Sequence, residues 1–272
     1  MELTKNWKTF LLVVLVFASI ALVITGAVFF KKSNMRLSHA SIPPTNELKK
    51  VTFNTNGKIT SAWLARELRI KRDADLFSLD ISSMKERLEI ISQIRSVFIE
   101  KRYPDTLFIK VNECLPILKF VANVDGEKKL FLVDGEDGRI FSPVCYGRED
   151  ISDILSVNLI LKTSKTKKFQ FLPQAGMSTV KELILTLKDE FPNIFQLIKF
   201  LDLRNYDNRS GAIWSTIGLH LKNEIIVVLG SQNFRLQLMK LDYLLNEKCK
   251  NNLHRIRKIT LSSSDDAVLE YK

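Results

Sequence analysis

The feature that most constrains this chain is the run from Phe10 to Phe30, FLLVVLVFASIALVITGAVFF, 21 residues without a charge. At ~1.5 Å of rise per residue such a run covers roughly 30 Å, the thickness of a bilayer's hydrocarbon core. A cleaved signal peptide has a shorter apolar core and a small-x-small cleavage site. Here the apolar run continues past Ser19 and Ala21 to Phe30, so an uncleaved anchor is expected. Lys5 and Lys8 precede it, Lys31, Lys32 and Arg36 follow it, and Trp7 sits where interfacial aromatics are common.

The anchor splits the chain into a cytoplasmic tail (1–9), a transmembrane helix (10–30) that meets membrane lipid, and everything after it. Three positive charges after the helix against two before it would, counted naively, keep the large part inside. Long domains translocate largely regardless of charge, so export of residues 31–272 is the expectation. The whole protein is 46% apolar and 26% charged, which excludes a disordered chain. Its 3 cysteines, Cys114, Cys145 and Cys249, are odd in number and far apart. They form no C-x-x-C pair, and the 3 histidines are isolated, so no metal and no cofactor is expected.

Residues 31–47 are polar, carry Pro43-Pro44 and read as a linker. Val51 and Phe53 then alternate with polar residues in a short strand closed by Asn56-Gly57. Ile59, Trp63, Leu64 and Leu68 recur at helical spacing behind Thr60 as N-cap. A connector from Asp73 to Asp80 holds Leu76, Phe77 and Leu79. Ser83 and Glu86 have the spacing of a capping box, and Met84, Leu88 and Ile91 line one face of a second helix. Two strand-like runs follow, Ile94–Lys101 and Thr106–Glu113, joined by a turn at Tyr103-Pro104-Asp105-Thr106.

A strand, two helices and two strands behind a single anchor is the layout of a POTRA domain. The wording adds to the layout. Leu76-Phe77-Ser78-Leu79-Asp80 resembles an "lf-x-ld" connector. Val97 to Leu107 resembles "V-x-x-A-x-V-x-R-x-y-P-x-t-l", and Ile109 to Pro116 resembles "i-x-V-x-E-r-x-P". In this order these segments resemble the FtsQ/DivIB family of bacterial cell-division proteins. Phe131–Asp134 with Gly138–Phe141 resembles that family's "lvD-x-x-G-x-vf" hairpin. Trp214–Leu221 and Ile225–Leu229 resemble its "w-x-l-x-l-x-n-G-x-x-v-x-L-G" pair. Helices are expected at Thr179–Glu190, with Thr179 and Glu182 as a capping box, and along Phe234, Leu238, Leu241 and Leu245. The closing strands are Arg255–Leu261 and Ala267–Tyr271. Cys114 replaces the usual arginine, the "vDlRY" hairpin is missing near Leu261, and residues 144–170 match no family segment.

The resemblance implies an α+β chain. A POTRA domain (48–120) would precede a β domain (121–272), dominated by antiparallel sheet with two helices. It implies a non-catalytic scaffold at the septum, exported from the bacterial cytoplasmic membrane. Its partners would be other division membrane proteins, including small bitopic coiled-coil proteins. In that family the last strand of the β domain is the docking edge, which here is Ala267, Val268, Leu269, Glu270 and Tyr271. This strand is expected to be left uncovered; the alternative is that its residues only complete the domain's own sheet. Alternation puts Ala267, Leu269 and Tyr271 on one face and Val268 and Glu270 on the other.

Competing readings are weaker. The run Asp134-Gly135-Glu136-Asp137-Gly138 has calcium-loop letters, but its neighbours are strands and a hairpin turn accounts for it. Lys162–Lys168 is basic without interleaved aromatics, which argues against nucleic acid and for a solvated loop. An anchored sortase-like enzyme would need a cysteine closing a T-L-x-T-C strand, and none of the three does so. No G-x-S-x-G, S-x-x-K or H-E-x-x-H motif occurs, so no catalytic residue is named. A POTRA-containing interaction protein outside cell division is the other alternative.

Overall fold

The computed structural model describes residues 47–71, 74–164, 170–206, 215–248, 252–261 and 266–272. The expected anchor, most of the linker, Trp214, Cys249 and most of the Lys162–Lys168 run lie outside them. Among the described residues no helix is long and apolar enough to cross a membrane.

The chain opens with β1 (Lys50–Thr55), α1 (Ser61–Leu68), α2 (Ile81–Glu89), β2 (Ile94–Arg102) and β3 (Thr106–Glu113). These form a three-stranded sheet in the order β1-β3-β2, with β1 parallel and β2 antiparallel to β3. Period-2 alternation on β3 buries Leu107, Ile109 and Val111 against Leu64, Leu68, Met84 and Leu88 of the two helices. Trp63 is half-buried at the margin of this core.

Thr60 caps α1 as expected, its hydroxyl accepting from the Trp63 amide at 3.2 Å. The second helix differs from the expectation. It begins at Ile81, two residues before Ser83, and its cap is Asp80, whose carboxylate accepts from the Ser83 amide at 3.1 Å. Ser83 and Glu86 therefore form no capping box. Asp and Ser both cap well, so local preference does not choose between them. Leu76, in the connector before the helix, is fully buried.

The rest is a nine-stranded sheet with helices packed against it. It is built from β4 (Pro116–Val124), β5 (Glu127–Asp134), β6 (Ile140–Phe141), a short α3 (Arg148–Ser152) and β7 (Leu155–Asn158). Then come α4 (Met177–Glu190), α5 (Pro192–Leu197), β8 (Ile198–Asp202), β9 (Thr216–Leu221) and β10 (Ile226–Gly230). The chain finishes with α6 (Phe234–Tyr243), β11 (Ile256–Thr260) and β12 (Val268–Tyr271). The order is β12-β11-β10-β9-β8-β7-β4-β5-β6. Most pairs are antiparallel, but β4–β7, β7–β8 and β10–β11 are parallel. The change of sheet falls between Glu113 and Pro116.

Alternation again selects the buried face: Ile217, Leu219 and Leu221 on β9, Val227 and Leu229 on β10. Against it pack Val180, Leu183 and Leu187 of α4 and Phe234, Leu238 and Leu241 of α6. Phe120, Phe131 and Phe171 form an aromatic cluster in the same core, with ring centroids 4.9 to 5.8 Å apart. The α4 helix starts at Met177 behind Gly176, whose φ of 77° suits glycine, so Thr179 is inside the helix and forms no capping box. Residues 144–164, which matched nothing in sequence, supply α3, β7 and the bridge from Thr163 to Phe171.

Candidate docking edge and the joint that carries it

The five residues singled out from the sequence lie together at the outer edge of the large sheet. Four of them form β12, which pairs antiparallel with β11 on one side and, among the described residues, has no strand on the other. The opposite edge, β6, is only two residues long. Ala267 and Leu269 pack against the core, as alternation predicts. Tyr271, on the same face, is 61% exposed, an aromatic ring that continues the buried stripe past the end of the core. Val268 is 53% exposed on the other face. Beside it Glu270 accepts from Lys258 Nζ at 2.9 Å.

An edge strand presents unpaired N–H and C=O groups that a strand from another chain can pair with. Two features limit β12 as a template: its four-residue length, and the register shift between Ile256 and Lys258 on its neighbour. At the Tyr271 end is an open concavity of about 680 Å³, lined by Asn252, His254, Arg255, Tyr271 and Lys272. It combines an aromatic ring with basic side chains.

At the far end of the large sheet from β12, two buried carboxylates, Glu113 and Asp134, sit where the large sheet meets the small one. Period 2 on β3 puts Glu113 on the same inward face as Leu107, Ile109 and Val111, and it is 1% exposed. An ion there is costly unless hydrogen-bonded. Glu113 accepts from the Lys58 amide at 3.1 Å, the Ile59 amide at 2.9 Å, Gln93 Nε2 at 2.6 Å and the Thr55 hydroxyl. It thereby closes the β1–α1 loop onto β3. Gln93 in turn accepts, through Oε1, from the Val144 amide of the larger unit at 2.6 Å.

The second carboxylate is Asp134, at the end of β5 and fully buried. It accepts from the amides of Leu115 at 2.8 Å, Glu136 at 2.9 Å and Asp137 at 3.0 Å. Arg95 Nη2, from β2 of the small sheet, donates to it at 2.6 Å. The other arm of Arg95 pairs with Glu136. Burial works against the charge on Asp134, yet the three backbone donors outweigh it and hold the acid below its usual carboxylate value. Arg139 Nη1 reaches back to the Ile94 carbonyl at 3.2 Å, and Lys58 pairs with Asp150. The Asp134–Gly138 segment is thus a hairpin turn whose acid is occupied by amides and arginine. Among the described residues no cluster of acids, histidines and cysteines could hold a metal.

Glu113 and Asp134 were missed as functional positions in sequence. The available signal was an acid continuing an inward apolar register, as Asp134 does after Leu132 and Val133. Between them lies Cys114, fully buried, its thiol pushed up to about 11 first by burial and then by the Asp134 charge. A thiol held protonated is a poor nucleophile at neutral pH.

No curated protein matches the chain. A family model described as POTRA domain, FtsQ-type, matches residues 46–113, which span β1 to β3 and end on Glu113. Strand order, helix placement and that match agree: the chain carries a POTRA domain of the FtsQ type, which supports its membership of the FtsQ/DivIB family of bacterial cell-division proteins.

Proposed function

We propose that this protein is a non-catalytic scaffold of bacterial cell division. It is held in the cytoplasmic membrane by residues 10–30, with both folded units outside the cytoplasm at the septum. The observation that carries the reading is the combination of an FtsQ-type POTRA domain with a nine-stranded sheet whose last strand, β12, is unpaired on one side among the described residues. The POTRA unit meets other membrane-bound division proteins. The β12 edge takes a strand from a small bitopic coiled-coil partner by β-augmentation, main-chain hydrogen bonds supplying affinity and flanking pockets specificity. Tyr271 is the anchor residue, of a type common at interface hot spots. Arg255, His254 and Lys272 beside it favour an acidic side chain on the incoming segment.

The test is capture of division partners from native membranes by the full-length protein. Val268→Pro removes an edge donor, and Tyr271→Ala removes the anchor. Loss of partners from both variants, with the melting curve of each preserved, is expected. Retention of the same partners by both variants would refute docking at β12.

A further inference from the structure

The α6 helix buries Phe234, Gln237, Leu238 and Leu241 beneath it. Its outer side carries large apolar residues beside the charged Arg235, Lys240 and Asp242. Leu236 is 50% exposed, Met239 55% and Tyr243 59%. Their spacing of three and four residues places them within roughly 60° of arc, one stripe along the helix. Single exposed apolar residues are ordinary, whereas an aligned stripe of three large ones marks an interaction surface.

The charges beside the stripe say which partner fits. Arg235 and Asp242 are seven residues apart, so they lie two turns from one another along the same flank. The flank reads basic at its N-terminal end and acidic at its C-terminal end. When two helices pack antiparallel about a two-fold axis, each flank meets the same flank of the other helix, reversed. Arg235 then faces Asp242 of the second helix, and Asp242 faces Arg235, while the apolar stripes meet between them. Within one chain Arg235 donates to Glu190 at 2.6 Å but stays 73% exposed, within reach of a second carboxylate. Asp242 accepts from Asn246 at 2.7 Å and makes no ion pair among the described residues.

We infer that α6 is a self-association surface, with a second copy of this chain as its occupant in an antiparallel two-fold pair. The residues of this stripe are distinct from those of the β12 edge. Three side chains and two ion pairs bury less than the ~800 Å² per partner of a standard interface. The pairing is therefore weak and sensitive to local concentration and salt. It stands independently of the cell-division reading.

The experiment uses the full-length chain in detergent micelles, as two differently tagged populations, with a photo-crosslinking phenylalanine derivative in place of Met239. A covalent dimer carrying both tags is expected, and the same probe at Val121, equally exposed on β4, should give none. Arg235→Asp and Asp242→Arg should each cut the cross-linked yield about fivefold through like-charge contact. The two together should restore it, because the flank is again complementary to its own reverse. Met239→Lys, at an exposed site, should abolish dimer detected by a probe at Tyr243 without moving the melting temperature. No dual-tagged product from Met239, no rescue in the double variant, or a dimer that survives Met239→Lys would each overturn the inference.

Discussion

Arg95 on β2 of the POTRA sheet donates to Asp134 on β5 of the large sheet at 2.6 Å, and the acid is fully buried where they meet. The pair links two units whose sheets share no strand. The Gln93–Val144, Arg139–Ile94 and Lys58–Asp150 contacts join the same two units beside it.

Breaking that pair from one side should be expensive. Arg95→Ala leaves a buried carboxylate with its backbone donors only, and the loss of one member of a buried pair costs about 3–5 kcal/mol. Urea unfolding should show a lower midpoint, or separate transitions for the two units. A single transition at the wild-type midpoint would show that the joint does not couple them.

The same acid sets a pH dependence. Asp134 is held below its usual value in the folded chain, against about 3.9 when unfolded. Its contribution is fully present above that unfolded value and is lost as pH falls through the lower folded one. The stability gap between the wild type and Asp134→Asn should be constant from pH 7 to about pH 5 and shrink below about pH 4. Chemical unfolding at a series of pH values measures it, and a gap that widens in acid would contradict the assignment.

In the POTRA core, Leu88 is fully buried between α2 and the sheet. Leu88→Ala should cost roughly 2–5 kcal/mol, depending on how far the site collapses. Thermal unfolding of an isolated fragment of residues 46–120 would show this as a large drop or complete loss of the transition. An unchanged midpoint would remove Leu88 from the core.

Gly138 closes the β5–β6 turn with φ of 71°, and its carbonyl accepts from the Gln174 amide at 2.9 Å. A methyl group there would collide with the Gln174 carbonyl. Gly138→Ala combines positive-φ strain with overpacking, together about 2–5 kcal/mol. Gly126→Ala, also at positive φ but in open space, should cost less. Melting temperatures of the two variants make the comparison, and equal losses would mean that the collision is relieved.

The topology is checked by a reporter that is active only after export, fused behind Lys272. Activity is expected, since the uncharged run from Phe10 to Phe30 follows a short lysine-bearing tail. Activity of a cytoplasm-dependent reporter at the same position would remove the extracytoplasmic reading.

Much of this architecture is written locally in the chain. Apolar alternation marks β3, β9 and β12, helical spacing marks α1 and α6, and Thr60 announces its own helix. Period 2 and period 3.6 are properties of the backbone, so a few neighbouring residues suffice to express them. The same locality explains the errors. Ser83 and Thr179 are good caps in the abstract, but the helices start behind Asp80 and behind the left-handed turn at Gly176.

Other features exist only once distant segments meet. Sequence alternation divides Ala267 to Tyr271 between two faces, but it carries no sign of which strand ends the sheet. That follows from β11 lying parallel to β10, which leaves β12 outermost. The charge of Glu113 and Asp134 could be read from the chain, but their donors could not. Glu113 is satisfied by residues up to 58 positions away, and Asp134 by Arg95, 39 positions away. A buried carboxylate is stable only where donors from several segments converge, and that convergence is a property of the folded chain.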